Sequence, residues 1–127
     1  MSHFLRFDRD NLPEPERTSP DPEKVIHGDP RFTVWTLDAP SDDSRFAGYW
    51  ASTPGTWRVA YDEWEYCTLV EGHAIVTEDG REPVSLRPGD HFVFRPGFTG
   101  RWQVVEPVLK TFVVVMPAAY AGQERTG

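Results

Sequence analysis

The sequence has one cysteine, Cys67, so no disulfide can form within the chain. That fits a reducing compartment and leaves the fold without a covalent staple. Long apolar runs are missing too. The longest, near Phe112 to Met116, falls far short of the ~20 residues a membrane-spanning helix needs, and charged residues stand near the N-terminus where a signal peptide would be apolar. A soluble, cytoplasmic protein is expected. Basic charge is scarce: 13 Lys and Arg face 20 Asp and Glu, giving a net charge of −7. Nucleic acid and anionic membrane are therefore poor partners, since both are held by basic surface. A small molecule is the expected partner. Helical periodicity is absent over any useful length.

What remains is the texture of an all-β chain. Residues 8 to 30 are rich in Asp, Glu, Arg and Pro without a sustained apolar period, and read as an extended N-terminal arm that wraps or dangles (1–30). From Phe32, short runs of Val, Thr, Trp, Tyr and Phe alternate with Pro and Gly, the pattern of an antiparallel sandwich or barrel. The single barrel domain is expected over 31–117, with a C-terminal tail over 118–127. Strands are expected at Phe32 to Leu37, Arg45 to Ala51, Thr56 to Tyr61, Glu65 to Val70, His73 to Thr77, Pro83 to Leu86, His91 to Phe94, Gly100 to Val105 and Val108 to Met116. Asp79-Gly80 reads as a tight hairpin, and Pro88-Gly89 and Pro96-Gly97 as sharp corners around one short strand. An uncovered sheet edge invites aggregation, so the arm is expected to complete an edge on its own subunit or on a partner in a homodimer.

Two stretches carry a resemblance: Glu65-Tyr-Cys-Thr-Leu-Val-Glu-Gly72 and Leu86-Arg-Pro-Gly-Asp-His-Phe-Val-Phe-Arg-Pro-Gly97. They resemble the two motifs of the cupin superfamily. The first motif of metal-binding cupins places two histidines ahead of its glutamate. Here those slots fall on Arg58 and Ala60 or on Val59 and Tyr61, and the histidine slot of the second motif falls on Gly100. Within the superfamily the chain looks like the branch of ureidoglycine aminohydrolase, through Phe46-Ala-Gly-Tyr-Trp50, Pro54-Gly-Thr-Trp57, Pro96-Gly-Phe98, Trp102 and Val105-Glu-Pro-Val-Leu-Lys110. The resemblance implies a double-stranded β-helix, the jelly-roll barrel, often dimeric. The missing histidines imply a barrel that works without metal or other cofactor.

If Glu65 points into the barrel, alternation puts Cys67 and Leu69 beside it and Tyr66, Thr68 and Val70 on the other face. A carboxylate there needs a cation, and Arg58 and Lys110 are the candidates. Lys110 stands out because Lys24 is the only other lysine in the chain. Such a lysine can act as a point charge, a proton donor or an imine former, or simply as the counter-ion of Glu65. Trp57, Tyr61 and Trp102 are expected to wall a pocket or fill the core. Cys67 is a weak nucleophile candidate, because no histidine stands in relation to it. His73 and His91, even with Glu65 and Asp90, supply too few ligands on one face for a metal.

The reading is a site inside the barrel for a small polar or anionic metabolite. Glu65 and Lys110 are its catalytic candidates, and Arg58, Tyr61, Trp57, Cys67 and Trp102 its ligand contacts. A non-catalytic ligand-binding or structural cupin, and a metal-dependent hydrolase of the ureidoglycine aminohydrolase type, are the alternatives.

Overall fold

Pro-Gly corners and β-branched runs convert into nine strands in a computed structural model that describes residues 2–117. They are β1 (Glu16–Thr18), β2 (Val25–Gly28), β3 (Phe32–Asp38), β4 (Arg45–Ser52), β5 (Gly55–Tyr61), β6 (Trp64–Glu78), β7 (Val84–Leu86), β8 (His91–Phe94) and β9 (Phe98–Val115). One turn of 3-10 helix, Pro22–Lys24, precedes β2. Among the described residues no helix is long and apolar enough to cross a membrane. The expected tail over 118–127 lies outside the described residues.

β6 and β9 run antiparallel along nearly their whole lengths and bend together. The C-terminal half of β9 also pairs with β4, and its N-terminal half with β5. Two leaves result, β1-β3-β4-β9-β6-β8 and β2-β5-β9-β6-β7, both threaded by the same two strands. Curled face to face, they form the jelly-roll barrel.

Two pairs of expected strands are each one strand. Glu65 to Val70 and His73 to Thr77 merge into β6, and Gly100 to Val105 and Val108 to Met116 merge into β9. In the sequence Gly72 and Pro107 look like interruptions, but they mark the shared bend. The register shifts there, and a Cβ on Gly72 would collide with the carbonyl oxygen of Pro107. A ladder can absorb such an irregularity without ending. The arm, expected to complete a sheet edge on its own subunit or on a partner, carries two short strands. β1 pairs with β3 and β2 pairs with β5, so the chain covers one edge of each leaf with its own residues.

The corners follow turn chemistry. Asp90 N–H bonds to Arg87 C=O at 3.0 Å, and Phe98 N–H to Arg95 C=O at 3.1 Å. In both turns proline precedes a glycine at φ 96°, the arrangement of a type II turn, which requires positive φ at its third position. At Asp79-Gly80 only the glycine takes positive φ, at 79°.

Between the leaves lies a core of Trp57, Cys67, Leu69, Phe94, Trp102, Val104, Phe112 and Val114. Trp102 is 1 % exposed. Truncating it to alanine is expected to cost about 3–5 kcal/mol, the usual loss for a large core aromatic.

Candidate functional site

Three strands carry the only buried polar or charged side chains among the described residues, which are Ser52, Glu65 and Lys110. Ser52 closes locally, donating to the C=O of Thr53 at 2.8 Å. Glu65 and Lys110 meet across the interior. On β6, Glu65, Cys67 and Leu69 are buried while Trp64 and Tyr66 are exposed, the alternation that a strand with one face on a core must show. On β9, Val108, Lys110, Phe112 and Val114 take the inner face.

Lys110 Nζ donates to Glu65 Oε2 at 3.0 Å and to Cys67 Sγ at 3.4 Å, and the Cys67 thiol donates to the same Oε2 at 3.2 Å. The side chains of Lys110 and Glu65 are 5 % and 8 % exposed. The ammonium also lies 4.8 Å from the ring centroids of both Trp50 and Trp102, within cation–π range. Trp102 Nε1–H in turn donates to Tyr61 Oη at 3.1 Å. Tyr61 packs on Phe94 and Phe98, closing the aromatic cage.

This environment sets the protonation states. Burial works against the Lys110 charge, but the sulfur of Cys67, the carboxylate of Glu65 and the oxygen of Tyr61 outweigh it and raise the ammonium above its ordinary value. A lysine so held is a fixed positive charge near neutral pH and not the free amine that imine formation requires. Burial pushes the Cys67 thiol up to about 12. Burial, followed by the nearby Glu65 charge, also raises the Tyr61 phenol. Cys67 is therefore a packed, protonated thiol without nucleophilic character.

A family model described as the EutQ-like cupin domain matches residues 40–112, more than half of the chain. The chain belongs to the EutQ-like cupin domain family. No curated protein matches its sequence. A Pseudomonas syringae pv. tomato protein of unknown function is similar in structure, with TM-score 0.76 and 24% identity over 86% of this chain, which spans 46% of that protein's length. The EutQ protein of Clostridium difficile aligns with TM-score 0.61 and 16% identity, covering 84% of this chain and 98% of its own. A predicted oxalate decarboxylase of Thermotoga maritima aligns with TM-score 0.68 and 12% identity, covering 89% and 100%. At these identities the likeness is one of fold.

In this EutQ-like cupin, Glu65, Cys67, Lys110, Tyr61 and Trp102 form one connected cluster. Trp57 belongs to the core behind it, lying parallel to Trp102 at 6.3 Å and tilted against Phe32 and Trp50. Arg58 is the correction. It is exposed on the outer face of β5 and makes a bidentate pair with Asp79 at 2.8 and 2.7 Å. Its guanidinium holds the Asp79 carboxyl down at about 2. With Trp57 and Tyr61 turned inward, alternation sends Arg58 outward, so the cation of Glu65 is Lys110 alone. Trp50 was missed. It stands opposite Lys110 in the β4–β9 register, and the same alternation rule applied to Arg45 to Ala51 would have found it.

The donor set does not suit a metal. Among the described residues no three His, Cys, Asp or Glu side chains converge. His73 pairs with Ser85 at 2.8 Å, and His91 lies with Tyr66 and Thr68 on the outer face. Glu65 already has a cation on it. Surface grooves of about 360 and 420 Å³ both open away from the cluster.

Proposed function

We propose that the barrel interior is a metal-independent site for a small polar or anionic metabolite, with Lys110 as the charge that anchors it and Glu65 as the acid or base that acts on it. One observation carries this reading: a buried lysine and a buried glutamate 3.0 Å apart inside an aromatic cage. Buried ion pairs are poor stabilisers, because desolvation consumes most of the attraction between the charges. A carboxylate and an ammonium in a dry, aromatic-walled interior are also the groups that proton transfer to or from a bound ligand needs. Tyr61 and Trp102 would orient the ligand, and Cys67 would keep Glu65 and Lys110 in place.

The test is a thermal-shift screen of carboxylates, phosphates and ureides on the native protein and on the Lys110→Met and Glu65→Gln variants. The expected result is a compound that raises Tm in the native protein and in neither variant. A shift that persists in both variants, or no shift with any compound, overturns the reading.

A second reading is favoured by the packing. The inner face is filled by Trp50, Trp57, Trp102, Phe94 and Phe112, and neither surface groove reaches Lys110. On that reading the pair only fixes the register of β6 against β9, and the cupin binds or scaffolds without turnover. A hydrolase of the ureidoglycine aminohydrolase kind would need imidazoles on this inner face, and the described histidines point away from it.

We also infer a homodimer in a cytoplasmic setting. Support for the dimer comes from Trp64, Tyr66, Val93 and Val115, which are exposed by 37 to 44 % on the outer face of the first leaf. Light scattering should give twice the 14.5 kDa chain mass.

A further inference from the structure

On that outer face, away from the barrel interior, four strands contribute one row of side chains. Thr33, Ala51, Leu109 and Glu71 stand side by side on β3, β4, β9 and β6. Ala51 is the short member, and over it opens the groove of about 360 Å³. Three strand spacings make the row roughly 14 Å long. The volume lies at the small end of the range for ligand sites.

The N-terminal arm forms one flank. Asp8 accepts from the N–H of Asp10 at 3.0 Å, and Asn11 N–H bonds to Asp8 C=O at 3.1 Å, making a tight turn that presents Arg9. Phe7 packs on Tyr49 with ring centroids 5.4 Å apart, and Arg9 Nη2 reaches Glu71 Oε1 at 2.6 Å. Opposite, Arg31 is held rigidly at the start of β3. Its N–H donates to Thr53 Oγ1 at 2.8 Å, and its C=O accepts from Thr53 N–H at 3.1 Å.

Two features of this groove leave binding capacity that the fold does not use. First, Trp35 lies in its wall with no ring partner and no acceptor for its indole N–H among the described residues, whereas Trp50, Trp57, Trp64 and Trp102 all pack against other rings. Second, both arginines spend a single nitrogen on a carboxylate, Arg9 on Glu71 and Arg31 on Asp29, and a guanidinium has five N–H donors.

We propose that this groove binds a small molecule made of a flat aromatic ring and one anionic group, carboxylate or phosphate. The ring lies against the free face of Trp35, and the walls of Ala51 and Leu109 suit its edges. The anion is taken by the unspent N–H donors of Arg31, whose guanidinium also holds Asp29, and by those of Arg9 from the arm. Glu71 limits the ligand to a single charged group, because a second anion along the row would meet its carboxylate.

The test uses the full-length protein labelled with nitrogen-15, following the indole N–H resonances. That of Trp35 is assigned by its disappearance in Trp35→Phe, with the remaining indole signals showing that the variant is folded. The probes are 2-naphthoate and adenosine monophosphate, with 2-naphthamide and adenosine as their uncharged counterparts. The expected result is a saturable shift of the Trp35 signal with one or both anions, while the Trp102 signal in the barrel stays in place. Response to naphthoate alone marks a carboxylate site, and response to the nucleotide alone a phosphate site. Loss of the charge, in the counterparts or in Arg31→Gln, should weaken binding roughly tenfold or more, as expected for a charge-assisted hydrogen bond. No saturable shift at millimolar probe, equal binding of the uncharged counterparts, or undiminished binding in Arg31→Gln would each overturn the proposal.

Discussion

A carboxylate, a thiol and an ammonium within 3.4 Å of one another make the interior sensitive to single atoms. Lys110→Met leaves Glu65 buried without its cation, and breaking such a pair from one side costs about 3–5 kcal/mol. Denaturant unfolding of Lys110→Met should show that loss, and the double variant with Glu65→Leu should recover most of it. Cys67 gives a pH signature. Its folded value, about 12, is above the ordinary thiol value, so the folded state holds the proton more tightly. Its stabilising contribution is complete below pH about 8.5 and is lost as pH rises from there toward the folded value. Stability should fall through this alkaline window, and Ellman's reagent should leave the native thiol untouched at pH 8 while titrating it in guanidinium. Much of this cluster was legible in the sequence, because parity along β6 fixes Glu65 and Cys67 together and the rarity of lysine draws attention to Lys110. Arg58 was misplaced for want of the same check, since adjacent residues of a strand cannot both face the core as Trp57 does.

At the scale of elements, the corners and the bend divide the glycines into two kinds. Gly89 and Gly97 have open space where a Cβ would stand and are constrained only by positive φ. Gly97→Ala should therefore cost about 1 kcal/mol, from backbone strain alone. Gly72→Ala should cost several times more, because the β9 backbone at Pro107 occupies the methyl's place. Comparing the two in urea unfolding separates strain from collision. The turns were readable because Pro-Gly carries its geometry in two residues. The continuity of β6 and β9 was not, because Gly72 and Pro107 are local breakers whose effect is reversed by the partner strand across the bend. β1 and β2 were hidden for another reason. They are short, exposed edge strands, and an edge needs backbone pairing more than it needs an alternating apolar face.

The whole molecule depends on those edges being covered. Deleting residues 1–28 would strip β1 from β3 and β2 from β5, leaving two unpaired ladders. The truncated chain should aggregate or exchange strands, visible in light scattering as large species that the full chain does not form. The cupin barrel was legible through the resemblance of its two motifs, whereas the EutQ-like family was not, and which edges the arm covers required the three-dimensional register.

Both leaves are built on β9, whose 18 residues pass from one into the other without a break. Separating the two leaves means straining β6 and β9 together, because both strands cross the bend at Gly72 and Pro107 without ending. Amides on β9 from either leaf, such as those of Trp102 and Phe112, should therefore exchange with deuterium at a common slow rate set by global unfolding. Any traffic to Lys110 has to pass by rotation of the cage's own rings, which would make its exchange with solvent a matter of aromatic ring-flip rates and not of strand separation.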